Sequence, residues 1–161
     1  DQFTSAANPR AHREGTGREI LEATQGNVDA FVAAAGSGGT LTGVGAALKG
    51  ANASVLVVAV EPATSPLLSQ GWAGDHEIPG IGADFVPPIL DRDIIDEVMT
   101  VTSQEATETT LRLGREMGLL VGLSSGANVF VALKLAERLG PGKSVVTVLP
   151  DTRERYPYLG Q

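Results

Sequence analysis

The 161-residue sequence contains no cysteine, so it has no disulfide framework, no cysteine-based zinc site and no thiol nucleophile. It also lacks a run of about 18 apolar residues, the length a membrane-spanning helix needs, and no charged-then-apolar leader opens it. Basic residues are in the minority, 12 against 19 acidic ones for a net charge of -7, and they form no cluster. Such a chain repels a phosphate backbone, whose neutralisation dominates nucleic-acid affinity. These absences lead to the expectation of a cytoplasmic protein without nucleic-acid or membrane partners. No internal repeat or linker divides the chain, and its length suits a single α/β domain over residues 1–161. It opens on Asp1-Gln2-Phe3 instead of methionine, which leaves room for upstream sequence.

Glycine, by contrast, is abundant: 20 of 161 residues, about 12 % against an average near 7 %. The glycines fall in short groups after apolar runs, a placement that marks functional turns. Four runs, residues 31–35, 55–60, 98–101 and 145–149, are rich in valine and alanine, have strand length and do not alternate polar with apolar. That is the pattern of strands covered on both faces in a parallel sheet. Helices are predicted between them over 17–24, 39–49, 103–117 and 125–139. Ser103 is the expected N-cap of the third, with Glu105 and Glu108 in its early turns and Gly118 as its stop. Strand, turn and helix in alternation predict an open, mostly parallel sheet with helices on both faces and right-handed crossovers.

The stretch 65–93 breaks the pattern. Pro66, Pro79, Pro87 and Pro88, with Gly71, Gly74, Gly80 and Gly82, prevent a long regular element, so a long loop holding one short helix is predicted. Connections beyond about 12 to 15 residues are usually functional or disordered. The interspersed Trp72, Ile78, Ile81 and Phe85 point to an ordered, functional loop. His12 and His76 lie in polar, glycine-rich surroundings. Asp75 and Glu77 flank His76, but adjacent residues rarely converge on one ion, and no metal site is expected. Asp91, Asp93, Asp96 and Glu97 read as a solvated acidic turn ahead of the third strand.

The strongest chemical signal is Ala35-Gly36-Ser37-Gly38-Gly39-Thr40-Leu41-Thr42-Gly43, directly after the first apolar run. Glycines there let the backbone turn sharply and present successive amide N–H groups at a helix start, where the dipole also favours an anion. Ser37 and Thr40 add hydroxyl donors, and a phosphate is the natural guest. No lysine follows, so this is not a nucleoside-triphosphate loop. A dinucleotide fingerprint would close on glycine or alanine where Leu41 stands, although Glu61 ends the next strand at a roughly suitable distance. A second glycine and serine turn, Val121-Gly122-Leu123-Ser124-Ser125-Gly126-Ala127, has two readings. The serines cap the following helix, or a hydroxyl meets a ligand lying across the strand ends.

With their flanking words these residues resemble the C-terminal half of the cysteine synthase family. These are pyridoxal-phosphate enzymes of the tryptophan-synthase-β-like fold that also includes cystathionine β-synthase. The words run in family order: Gln2-Phe3, Ala7-Asn8-Pro9, Thr16-Gly17-x-Glu19-Ile20, Gly36-Ser37-Gly38-Gly39-Thr40, Val60-Glu61-Pro62, Gly80-Ile81-Gly82-Ala83-x-Phe85-x-Pro87, Ser124-Ser125-Gly126-Ala127 and Glu154-Arg155-Tyr156. The resemblance implies that Gly36, Ser37, Gly38, Gly39 and Thr40 hold the pyridoxal 5'-phosphate phosphate group. It also implies that Ser124 bonds the pyridine nitrogen, and that Gln2, with Gly80 and Gly82 at the active-site mouth, serves the amino-acid substrate. The reaction implied is β-replacement of an activated serine, commonly O-acetylserine, by sulfide. A homodimer is the usual assembly.

That reaction needs a lysine to hold the cofactor's aldehyde and carry a proton. In the family it lies upstream of the glutamine-phenylalanine word, where this chain begins. Lys49, Lys134 and Lys143 do not match its context and are expected on the solvated surface. The chain therefore reads as half an active site with no catalytic residue of its own, inactive unless an N-terminal half or a second chain supplies the lysine. Two departures from the family pattern stand out. Thr152 and Arg153 occupy a turn that usually ends in glycine, and Ser5 replaces a common asparagine. The alternative is a stand-alone module that binds a phosphate ligand or a dinucleotide in a regulatory role.

Overall fold

In the computed structural model, which describes residues 1–156, four strands form one parallel sheet. They are β1 (Ala30–Ala34), β2 (Leu56–Pro62), β3 (Glu97–Val101) and β4 (Val145–Thr147), in the order β3-β2-β1-β4. The last five positions of the expected 1–161 span lie outside the described residues. The valine and alanine runs form strands here because both faces are covered. Ala30, Val32, Val58 and Val60 point to one hydrophobic cluster, and Phe31, Ala33, Val57 and Ala59 to the other.

Each cluster has its own helices. On one face α3 (Gly39–Ala51) inserts Leu41, Val44 and Leu48, backed by α1 (Ala7–Glu14) and α2 (Thr16–Thr24). On the other, α6 (Leu123–Leu139) contributes Leu123, Ala127, Val131 and Leu135, a stripe at four-residue spacing, and α5 (Ser103–Met117) packs alongside it. The loop between β2 and β3 holds α4 (Leu67–Gln70) and a 3-10 turn at Arg92–Ile94, as its prolines and glycines predict. Its apolar residues divide. Ile78 and Ile81 are buried in the α6 cluster, whereas Trp72 and Phe85 stay about half exposed, Phe85 edge-on to Phe3.

Three expectations are corrected. Helix α1 is missing from the sequence reading because none of its residues is buried, leaving no apolar stripe to read. It is held instead by lying on α3 at Gly43. The cap of α5 is Thr102, not Ser103. The Thr102 hydroxyl accepts the Glu105 N–H at 3.1 Å, while the Glu105 carboxylate accepts the Thr102 N–H at 2.9 Å, a reciprocal capping box. Ser103 instead accepts the Glu77 N–H. Nor is the acidic run simply solvated. Asp96 accepts Lys49 and the Val57 N–H, both at 2.7 Å, and Glu97 pairs with Arg138 across to α6. Lys134 and Lys143 are half-exposed surface residues, as expected, pairing with Glu105 over the Phe130 ring and with Asp29, while Lys49 is more covered where it meets Asp96.

These contacts set the response to acid. Burial raises the Asp96 pKa, but Lys49 and the Val57 N–H outweigh it and leave the carboxyl below its ordinary range. The Arg138 hydrogen bond lowers Glu97, and Lys143 with the Ser144 N–H lowers Asp29. Carboxyls that bind protons less readily folded than unfolded contribute stability above their unfolded pKa, and that stability disappears as pH falls through the folded value. Burial lowers His12 as well, so its contribution fades as pH drops below about 6.5. The melting temperature should therefore decline gently below about pH 6.5 and steeply below about pH 4.5, with Asp96→Asn flattening the acid limb. Calorimetry showing a level melting temperature down to about pH 3.5 would contradict this.

Candidate functional site

The site forms where two strands part. β1 and β4 pair only as far as Val32 opposite Thr147, so their carboxyl ends diverge and open a crevice. Asn128 of α6, 1 % exposed, fills its floor. Its Oδ1 accepts the Ala34 N–H and its Nδ2 donates to the Val148 carbonyl, each at 2.8 Å, replacing the strand partners that the splay removes.

The cavity at this crevice measures about 200 Å³. Gly36, Ser37, Gly38 and Thr40 line one side, Ser124 and Asn128 the other, and Gly80 bounds it from the long loop. The glycine turn is shaped by close contacts. A Cβ on Gly36 would collide with the Gly80 carbonyl, and Gly38 has φ +86° with Leu90 pressed against it. The turn then feeds α3, a 13-residue helix whose cap Gly38 has no side chain. The Gly39 N–H leans on Ser37 Oγ at 3.4 Å, and the first-turn N–H groups beyond it suit a ligand. Gly39 is buried behind the cavity against Asn8. Asn8 donates to Ser37 Oγ at 3.0 Å and to the Gln2 carbonyl at 2.8 Å, tying the start of the chain to the turn. Behind Thr40 the His12 ring lies 3.3 Å from its Oγ1 and 3.1 Å from the Thr16 hydroxyl. Burial depresses the His12 pKa, favouring a neutral ring that adds polar contact without a fixed charge.

Across the cavity, Gly122 is the N-cap of α6 and makes no side-chain cap. Ser124 and Ser125 lie inside the first turn, so the capping reading of these serines is corrected. Among the described residues two buried side-chain atoms have no hydrogen-bond partner: Asp151 Oδ1, on the cavity wall, and Ser125 Oγ, whose residue does not line the cavity. The other Asp151 oxygen accepts the Tyr156 hydroxyl at 2.5 Å, and Pro150, Asp151 and Tyr156 complete this wall. The departure at Thr152-Arg153 causes no strain. Thr152 bridges to Val121, and Arg153 begins a 3-10 turn with an ordinary negative φ.

Other expected site residues are distributed around this cavity. Gln2 faces a neighbouring space of about 390 Å³ that shares Gly36, Ser37 and Gly80. Gly82 lies off the main cavity, its N–H donating to the Ala35 carbonyl at 3.0 Å, so it braces the mouth from behind. Glu61 is 2 % exposed, and its carboxylate already accepts the Leu68 and Ser69 N–H groups and the Ser69 hydroxyl. It is a tether for α4 and presents no free oxygen pair to a ribose. None of the three lysines lines the cavity. Among the described residues no group of three or more His, Cys, Asp or Glu could hold a metal ion, and no helix is long and apolar enough to cross a membrane. Sequence reasoning missed Asn8 and Asn128. Asn8 stood in a quoted word without a role, and nothing local distinguishes Asn128 from a surface asparagine.

Fold and site together define a class: an open parallel α/β protein with a cavity at a glycine-rich strand-to-helix turn, a geometry suited to an anion. Comparison with known proteins narrows it. The chain belongs to the pyridoxal-phosphate dependent enzyme family, which matches residues 1–151. Cysteine synthase B of Campylobacter jejuni is 50 % identical over 155 residues, covering 96 % of this chain and 51 % of that protein. Cysteine synthase of Staphylococcus aureus is 46 % identical, covering 96 % and 50 %. The solved structure of O-ureido-L-serine synthase superposes with a TM-score of 0.93 at 44 % identity, covering 96 % of this chain and 49 % of that one. The chain thus spans about half the length of the curated relatives it matches.

The role of Asn128 can be measured directly. Asn128→Leu keeps the branched outline of the side chain, with somewhat greater bulk, but orphans the Ala34 N–H and the Val148 carbonyl, which should cost roughly 2 to 4 kcal/mol in urea unfolding. A loss under ~0.5 kcal/mol would show that the strand ends do not need this staple.

Proposed function

We propose that this chain is the C-terminal half of the active site of a cysteine synthase-type enzyme. It holds the pyridoxal 5'-phosphate phosphate group at Gly36–Thr40 and the pyridine nitrogen at Ser124. The observation that carries this reading is the single cavity lined by both the Ser37 turn and Ser124. The residues fit the cofactor. A Cβ at Gly36 would displace the Gly80 carbonyl that bounds the cavity, the uncapped start of α3 lies behind the turn, and Ser124 lines the far side together with Asp151, whose Oδ1 is buried without a hydrogen-bond partner. When bound, the cofactor would supply the electron sink for β-replacement on an activated serine.

The chain's own residues bind and orient. Ser37 and Thr40 donate hydroxyl hydrogens to the phosphate, with Asn8 and His12 holding these two side chains from behind. Ser124 offers a neutral hydroxyl, which does not enforce a protonated ring as a carboxylate would, and so moderates the sink. Gln2 and Gly80 shape the substrate side, and Gly82 supports that wall. Lys49, Lys134 and Lys143 are engaged in ion pairs away from the cavity, so the aldehyde-holding lysine comes from a complementary half. Met117, Leu119, Leu120 and Leu133 are exposed, which favours an apolar partner surface, whether that half or the second subunit of a homodimer. A cytoplasmic, small-molecule enzyme without nucleic-acid or membrane contacts remains the setting.

The test pairs binding with chemistry. Isothermal titration of the chain with pyridoxal 5'-phosphate should show saturable binding, weakened about tenfold by Ser37→Ala with Thr40→Val. Supplied with O-acetylserine and sulfide, the chain alone should form no cysteine. Turnover by the chain alone, with a borohydride-reducible adduct on Lys49, Lys134 or Lys143, would overturn the half-site reading.

A further inference from the structure

The segment 76–82 is a wall shared by three spaces. One is the cavity of about 200 Å³, another is the Gln2 space of about 390 Å³, and the third, of about 500 Å³, is lined by His76, Glu77, Thr107 and Leu123. Ile78 and Ile81 root it in the core, the Gly82 N–H fastens it to Ala35, and the Gly80 carbonyl presses on Gly36. Two further contacts come from one side chain. His76 Nδ1 accepts the Ile78 N–H at 3.3 Å, and Nε2 lies 3.0 Å from the Gly82 carbonyl oxygen. A carbonyl only accepts and an amide N–H only donates, so the first nitrogen must be bare and the second must carry the proton. Only one neutral tautomer meets both demands. A protonated ring would point an N–H at the Ile78 N–H.

We propose that neutral His76 is the positioning residue that holds the Gly80 wall against the Gly36 turn, and that its protonation loosens the mouth of the site. The charged groups nearest the ring in the chain are Asp75 and Glu77 of its own loop. β2 contributes Pro62, packed on Gly82, and α5 contributes Ser103 and Thr107, all uncharged. Among the described residues no salt bridge engages His76. The hold on the loop stands on these contacts alone, while its effect on cofactor affinity rests on the reading proposed above.

The test uses the whole chain. With only two histidines, His12→Gln assigns the ring resonances, and 15N spectra should show the Nε2–H tautomer of His76 at about pH 8. Exchange protection of the Ile78 and Gly82 amides should fall as pH drops to about 5.5, whereas His76→Gln, which keeps a donor for Gly82, should show no such fall. Pyridoxal 5'-phosphate affinity should drop about fivefold more in the native chain than in His76→Gln over this interval. The His12 and ligand titrations occur in both and cancel. His76→Ala should bind about tenfold more weakly than the native chain at about pH 8 and only about twofold more weakly at about pH 5.5. An Nδ1–H tautomer, or protection at 78 and 82 indifferent to pH and to His76→Ala, would overturn the proposal. The expected protection changes without binding of the cofactor at any pH would leave His76's hold on the loop intact and defeat the cavity's assignment.

Discussion

The separation of β1 from β4 beyond Val32 is the constraint on which the site depends. A parallel sheet that kept pairing would close over its own ends. Here the ladder stops, and the Ala34 N–H and Val148 carbonyl would be stranded in the interior without Asn128. Backbone polar groups cannot remain unpaired there cheaply. The side chain that satisfies them belongs to the helix that carries Ser124 one turn earlier, so the hydrogen bonds that hold the crevice open also fix where Ser124 faces. The glycine turn leaves β1 immediately after Ala34. Both walls of the cavity therefore take their positions from one amide.

A second layer secures the walls from outside. Asn8 grips Ser37 from the first helix, His12 backs Thr40, and the long loop lays the Gly80 carbonyl on Gly36. The turn has almost no side-chain bulk of its own, and its shape is imposed by neighbours distant in sequence. Pre-organisation of this kind lets backbone N–H groups bind an anion without reordering the chain at the moment of binding.

Much of the fold was legible because burial on both faces leaves a mark in composition. The unbroken apolar runs at 31–35 and 55–60 could not belong to a half-solvated sheet, and each lies within two residues of its strand at either end. α1 left no such mark, since a polar helix lying on another helix buries backbone and small residues instead of an apolar stripe. The shift from Ser103 to Thr102 reflects two hydroxyls side by side, either able to cap. Only the backbone conformation decides between them. In the site, the glycine turn and Ser124 were readable because their chemistry is local. Asn128, Asn8 and His76 act through contacts with distant segments, and a sequence records such contacts only as ordinary polar residues. Glu61 shows the converse, an acidic residue at a suggestive spacing whose carboxylate is consumed by two backbone N–H groups.

The central claim is that the Ser37 turn and Ser124 grip opposite ends of one small phosphorylated ring. Amide chemical shifts of the 15N-labelled chain during titration test it most directly, with inorganic phosphate in one series and pyridoxine 5'-phosphate, which has no aldehyde, in the other. Phosphate should move only the amides of residues 36–40, whereas the ring phosphate should move those and the amides of 122–126 along one saturation curve. Two sets moving with different affinities, or the second set staying still, would contradict the account.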